Sequence, residues 1–207
     1  MTGSGDSAST RRRVWVICEG KHEHGGALES LIRRIMTNPD DCEFEFESWK
    51  SPRGKSRKFR STSRGDGVLK KFVSILYDAQ SLGFDRVIAG VDCDRAHGRI
   101  RSIDQAQRND EFLIPRAFGI AIETFDAWFL ADEKALSRVF SLAIETQPAP
   151  ESNRDAKASM AAIRDASGVD IGLADAYARL SEIIDLDMVA RRCNKGFAVW
   201  RDRVAKL

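Results

Sequence analysis

The sequence predicts an α/β fold: a mainly parallel central sheet flanked by helices, with a helical extension at the C-terminal end. Three observations predict it. Short apolar runs, "VWVIC" at Val14–Cys18, "RVIAGV" at Arg86–Val91 and "FGIAI" at Phe118–Ile122, have the length and β-branched content of buried strands. Segments with apolar residues at helical spacing alternate with them, which is the pattern of βαβ units. After a Pro-rich stretch, "TQPAPESN" at 146–153, only helical patterns remain.

Each element follows from local chemistry. Gly25–Met36 carries Ala27, Leu28, Leu31, Ile32, Ile35 and Met36, one face of a helix, which Asn38-Pro39 ends. Glu43–Trp49 alternates acid and aromatic, a strand with one wet face. Val68–Leu82 places Leu69, Phe72, Val73, Leu76 and Ala79 on one helical face before Gly83. Ser102–Arg108 reads as a short polar helix and Asp126–Phe140 as one longer helix that opens with "DAWFLAD". Helices are expected near Ala156–Ala166, Leu173–Ile184 and Met188–Ala205. Trp128, Phe129, Leu130, Phe197 and Trp200 are expected in the core. The division that results is a disordered lead over 1–12, an α/β domain over 13–145, and a helical extension over 146–207 packed on the same domain.

Composition narrows the class. The chain has 207 residues, 43% of them hydrophobic and 31% charged, as in ordinary globular proteins. No apolar run approaches the ~20 residues of a membrane span, and Val14–Cys18 is too short for a signal-peptide core. Cys18, Cys42, Cys93 and Cys193 are far apart, which argues against a zinc knuckle or a disulfide framework and for a reducing cytoplasm. The net charge of +2 conceals an asymmetry. Asp40, Asp41, Glu43, Glu45 and Glu47 form an acidic run. Lys50, Arg53, Lys55, Arg57, Lys58, Arg60 and Arg64 form a basic block without an acid. Such a block can follow a phosphate backbone. A solvated loop, or a docking surface for an acidic partner, is the alternative. Phe59 is its one aromatic residue, too few for a base-stacking platform.

Each buried run stops at a carboxylate. "VWVIC" meets Glu19; "VIAGV" meets Asp92, with Asp94 two residues on; "FGIAI" meets Glu123, with Asp126 three residues on. In a parallel sheet these ends share the carboxyl edge, where α/β folds bind ligands. Helix capping is an alternative for Asp92 and Asp126, and pairing with Lys21, Arg95 or Arg116 is another. Glu19 and Glu123 are poor N-cap residues. Two carboxylates ~4 Å apart repel by about 1 kcal/mol in water and about 4 kcal/mol at an effective dielectric of 20. A cluster of them therefore calls for a cation, and oxygen-only donors suit Mg²⁺ or Mn²⁺. In extended chain Asp92 and Asp94 would share a face, with Cys93 turned away. His22 and His24 flank Glu23; they read as loop histidines, one of which could bond a phosphate. His97 reads as a solvated turn residue or a proton shuttle. "GKHEHGG" lacks the ending of a P-loop.

At these residues the chain resembles a known superfamily. "ICEGKHE" and "GVDCD" resemble the Toprim signature found in topoisomerases, primases, recombination factors and OLD-type nucleases. "AIETFDAWFLAD", "ESNRDAKASM" and "ARRCNKGFAVW" are similar to a narrower group, the small bacterial RloB-like proteins, over most of residues 13–200. The resemblance implies a Toprim-like fold and a metal-dependent nuclease acting on DNA or RNA in bacterial defence. It implies that Glu19 is a metal ligand or general acid/base and that Glu23 is the second acid of an E-G-x-x-E pattern. Asp92 and Asp94 match the metal-binding Asp-x-Asp, and Glu123 and Asp126 match the acid-bearing segment of the RloB-like group. Arg95-Ala96-His97-Gly98 follows Asp94 where relatives commonly carry a glycine or another acid nearby, so the number of ions stays open. The group is often encoded beside an ATPase. A conditionally active subunit that docks on such an ATPase is therefore the rival expectation, and self-association stays open.

Overall fold

The computed structural model describes residues 11–20, 26–49 and 66–207. Four parallel strands form its sheet: β1 (Arg12–Cys18), β2 (Cys42–Ser48), β3 (Arg86–Asp92) and β4 (Arg116–Ala121), in the order β2-β1-β3-β4. The α/β class and the parallel sheet read from the sequence are what is observed. Helices α1 (Leu28–Ile35), α2 (Asp66–Ser81) and α3 (Gly98–Gln107) connect successive strands. After β4 come α4 (Asp126–Phe129), α5 (Glu133–Phe140), α6 (Ala156–Ser167), α7 (Leu173–Ile183), α8 (Leu186–Arg192) and α9 (Phe197–Val204).

The sheet divides two cores by the period-2 alternation of its strands. Val14, Val16 and Cys18 of β1, with Ile88 and Ala117, face α1 and the C-terminal helices. Trp15, Ile17, Val87, Ala89, Val91 and Phe118 face α2 and α3. Residues 146–207 thus cover one side of the sheet, as their helical patterns suggest. Trp128 and Trp200 stack with ring centroids 5.2 Å apart, and Phe197 meets Trp128 edge-on at 5.1 Å. Gly119 of β4 lets α9 seat so closely: a Cβ there would lie 2.2 Å from Cδ1 of Trp200.

Three elements differ from the sequence expectation. The helix expected over Asp126–Phe140 is two helices. Asp132, 3% exposed, accepts the backbone N–H groups of Lys134 (3.1 Å) and Ala135 (3.0 Å) and so starts a new helix inside the apolar run. The helix expected over Met188–Ala205 also breaks, between Cys193 and Phe197. There Gly196 lies where a Cβ would be 2.6 Å from both Glu151 Oε1 and Ile120 O, and Glu151 accepts the N–H groups of Lys195 (3.0 Å) and Gly196 (2.7 Å). The wet face of β2 is only partly wet. Glu47 is buried and accepts the Trp15 indole N–H at 3.1 Å, while Glu45 pairs with Arg13 at 2.7 Å.

All four cysteines are free and buried. Among the described residues no helix is long and apolar enough to cross a membrane.

Candidate functional site at the carboxyl edge of the sheet

The strand order creates a crevice. From β1 the chain crosses to β2 on one side and then returns to β3 on the other, so connections diverge between β1 and β3. In open parallel sheets ligands bind outside the carboxyl ends of the strands at such a switch point. Glu19 follows β1 and Asp92 ends β3, so these two acids flank the crevice.

They are joined there. Glu19 Oε2 accepts the backbone N–H of Asp92 at 3.1 Å. Asp92 Oδ1 accepts the N–H of Phe125 at 2.8 Å, which ties the entry of α4 to the sheet edge. The capping alternative is thus realised in a modified form: Asp92 caps across the sheet, not on its own following helix. The ladder between β3 and β4 continues beyond the strands, with Cys93 N–H donating to Ala121 O (2.8 Å) and Asp94 N–H to Glu123 O (3.0 Å).

The backbone at this edge is unusual. Asp94, Arg95 and Glu123 have φ of 47°, 60° and 61°, in the left-handed region that non-glycine residues seldom enter. Such conformations cost of order 1–3 kcal/mol each and persist where surrounding structure holds them. They also correct an expectation. The extended chain ends at Asp92, so Asp94 does not present its carboxylate by simple strand alternation; it lies exposed in a left-handed turn.

Burial drives the Asp92 carboxyl up to about 7 against the Phe125 hydrogen bond, and the charges of Glu19, Asp126 and Asp94 add to the rise. Asp126 accepts the hydroxyl of Tyr177 from α7, and burial with the Asp126 charge drives that phenol upward. Glu123 is 8% exposed; it meets Asp94 through its backbone, and its charge helps raise the buried Cys93 thiol after burial itself.

Two cations that the sequence does not single out face these acids. Arg99, from the first turn of α3, donates to Asp92 O at 2.6 Å and lies 3.4 Å from Glu19 Oε2. Lys71, from α2, donates to Trp49 O and lies 4.0 Å from the Trp49 ring centroid. Burial lowers its ammonium and the nearby Glu19 opposes this. Among the described residues cationic pairing at the edge comes from Arg99, whereas Arg116 donates to the carbonyls of Gln107 and Phe112; Lys21 lies outside the described residues. Nothing in "RAHGRIRS" distinguishes Arg99 from its neighbours before α3 is placed, and Lys71 is hidden beside Phe72 in an ordinary amphipathic pattern. Tyr177 is equally unmarked.

Glu19, Asp92, Asp94 and Asp126 therefore share one neighbourhood, with Glu123 on its β4 side. Glu23, His22, His24 and the basic block Lys50, Arg53, Lys55, Arg57, Lys58, Arg60 and Arg64 lie outside the described residues. Among the described residues no three His, Cys, Asp or Glu side chains form a group that could hold a metal ion by themselves. Mg²⁺ commonly rests on one or two carboxylates and takes water and substrate phosphate oxygens for the rest. The all-oxygen donor set, with Asp92 crowded by three other acids, fits that mode of binding.

Comparison with family models, with curated proteins and with solved structures gives no match.

Proposed function

We propose that the chain is a divalent-metal-dependent phosphodiesterase of Toprim type, akin to the RloB-like group, that cleaves DNA or RNA in bacterial defence. One observation carries the reading: Glu19 after β1 and Asp92 at the end of β3 meet at the carboxyl edge, beside the crevice where the connections diverge, with Asp94 and Asp126 close enough to act on Asp92 and two cations facing them.

In this reading Asp92 and Asp94 hold Mg²⁺ or Mn²⁺ together with substrate oxygens, and Asp126 and Glu123 support them. The ion supplies Lewis-acid stabilisation of the phosphoryl oxygens. Glu19 binds the ion or moves a proton to or from the attacking or leaving oxygen, a role it shares with Glu23. Lys71 and Arg99 place positive charge where the phosphodiester gains negative charge. Tyr177 keeps Asp126 in place through its hydroxyl. The basic block from Lys50 to Arg64 contributes affinity for the backbone without base readout.

A second reading, a subunit active only on a partner ATPase, is favoured by one contact. Arg99 bridges Glu19 and the Asp92 carbonyl, so Glu19 is engaged before any ligand arrives. The test serves both readings. The purified chain is incubated with single- and double-stranded DNA and RNA in Mg²⁺, Mn²⁺ or chelator, with and without a co-expressed neighbouring ATPase. Ion-dependent cleavage that is abolished in Glu19→Gln and in Asp92→Asn supports the phosphodiesterase; cleavage that survives either substitution overturns it. Cleavage only with the ATPase selects the second reading.

A further inference from the structure

Helix α3 leaves the sheet at the acidic edge and runs away from it, and its two faces differ in chemistry. Arg99 turns inward to Glu19 and the Asp92 carbonyl. About 200° around the helix on either side of it, His97 and Arg101 face outward. With Ile100, Asp104, Gln105 and Arg108 they line a surface groove of about 670 Å³. Arg101 and Arg108 are exposed, and neither forms an ion pair among the described residues. The acid in the lining, Asp104, is taken up by Arg203 of α9 at 2.6 Å. The groove is therefore net cationic. Its His97 end lies three positions from Asp94, at the end of α3 that follows the carboxyl end of β3.

Spacing indicates the ligand class. Arg101 and Arg108 are seven positions apart, about 10.5 Å along the helix axis. That separation lets the two guanidinium groups reach different phosphates of one strand. The cations stand in single file along one helix, and no aromatic side chain lines the groove to stack a base. We infer that the outer groove of α3 binds the phosphate backbone of a single nucleic-acid strand and leads it to the carboxyl edge at its His97 end. The inference rests on the phosphodiesterase reading for what happens at that edge, but not for binding itself. Affinity along this groove is independent of base sequence and depends steeply on salt, because each guanidinium–phosphate contact releases counterions.

The experiment measures binding of fluorescent single-stranded DNA and RNA oligonucleotides by anisotropy, in chelator, from about 50 to about 200 mM salt. The wild type is compared with Arg101→Gln/Arg108→Gln and with a control pair on α5, Lys134→Gln/Arg138→Gln, also exposed. The groove variant weakens binding to all sequences alike, and its slope of log affinity against log salt falls by about 1.4, ~0.7 per lost contact on a single strand. The control pair leaves the slope unchanged. All variants keep the wild-type melting temperature, since the substituted side chains are exposed. An unchanged slope in the groove variant, an equal fall in the control pair, or no oligonucleotide binding by the wild type overturns the inference. Groove-dependent binding in chelator, with no cleavage once Mg²⁺ or Mn²⁺ is supplied with and without the neighbouring ATPase, supports the groove and overturns the phosphodiesterase reading instead.

Discussion

Asp92→Asn isolates the cost of holding a carboxylate at this edge. In the fold the Asp92 carboxyl rises from 3.8 to about 7, chiefly through burial and then through Glu19, Asp126 and Asp94. Between those two values the native protein keeps a proton that the unfolded chain has lost. Stability therefore falls as pH rises through that window, and above about 7 the full cost is present. At 1.36 kcal/mol per unit the cost is up to about 4 kcal/mol, a large share of the 5–15 kcal/mol of a typical domain. Asparagine removes it. Its Oδ1 can still accept the Phe125 N–H, and its amide can donate to the surrounding carboxylates. Urea unfolding in chelator is the assay. At pH 4 the two proteins should differ little. By pH 8 the variant should be more stable by up to about 4 kcal/mol, or about 8–16 °C in melting temperature. Millimolar Mg²⁺ should then stabilise the wild type and not the variant, closing the gap by mass action. A difference that does not change with pH, or a variant less stable than wild type at pH 8, would refute the account of Asp92. The same substitution is expected to abolish cleavage, so stability gained there is function lost.

Two packing predictions use the same unfolding assay. Gly119→Ala puts a methyl group 2.2 Å from Trp200 Cδ1 and should cost about 1–3 kcal/mol, whereas Gly90→Ala on neighbouring β3, with nothing within 4 Å of the new atom, should be close to neutral. Asp132→Ala removes the cap of α5 and the acceptor of the Asp185 N–H (2.8 Å); it should cost about 2–3 kcal/mol and speed hydrogen exchange at the Asp185 amide, and equal exchange in both proteins would remove the link.

The sequence by itself carried the α/β class, the three buried strand cores, the helices at 3.6 spacing and the acid at the end of each apolar run. These are local signals: burial sets the period of apolar residues, and the chain reports that period directly. Helix breaks were illegible where they depend on distant partners. Asp132 stops one helix and starts the next because its other oxygen holds Asp185, and the gap before α9 exists because Glu151 binds the backbone there. The tertiary structure alone decided the strand order, and with it the crevice between β1 and β3 where Glu19 and Asp92 meet. It also decided which cations face the acids. Arg99 and Lys71 are each one basic residue among the 33 of the chain, and only the docking of α3 and α2 on the sheet turns these two toward the carboxyl edge. Side chains far apart in sequence interact through distances set by packing, and those distances have no signature in a one-dimensional pattern.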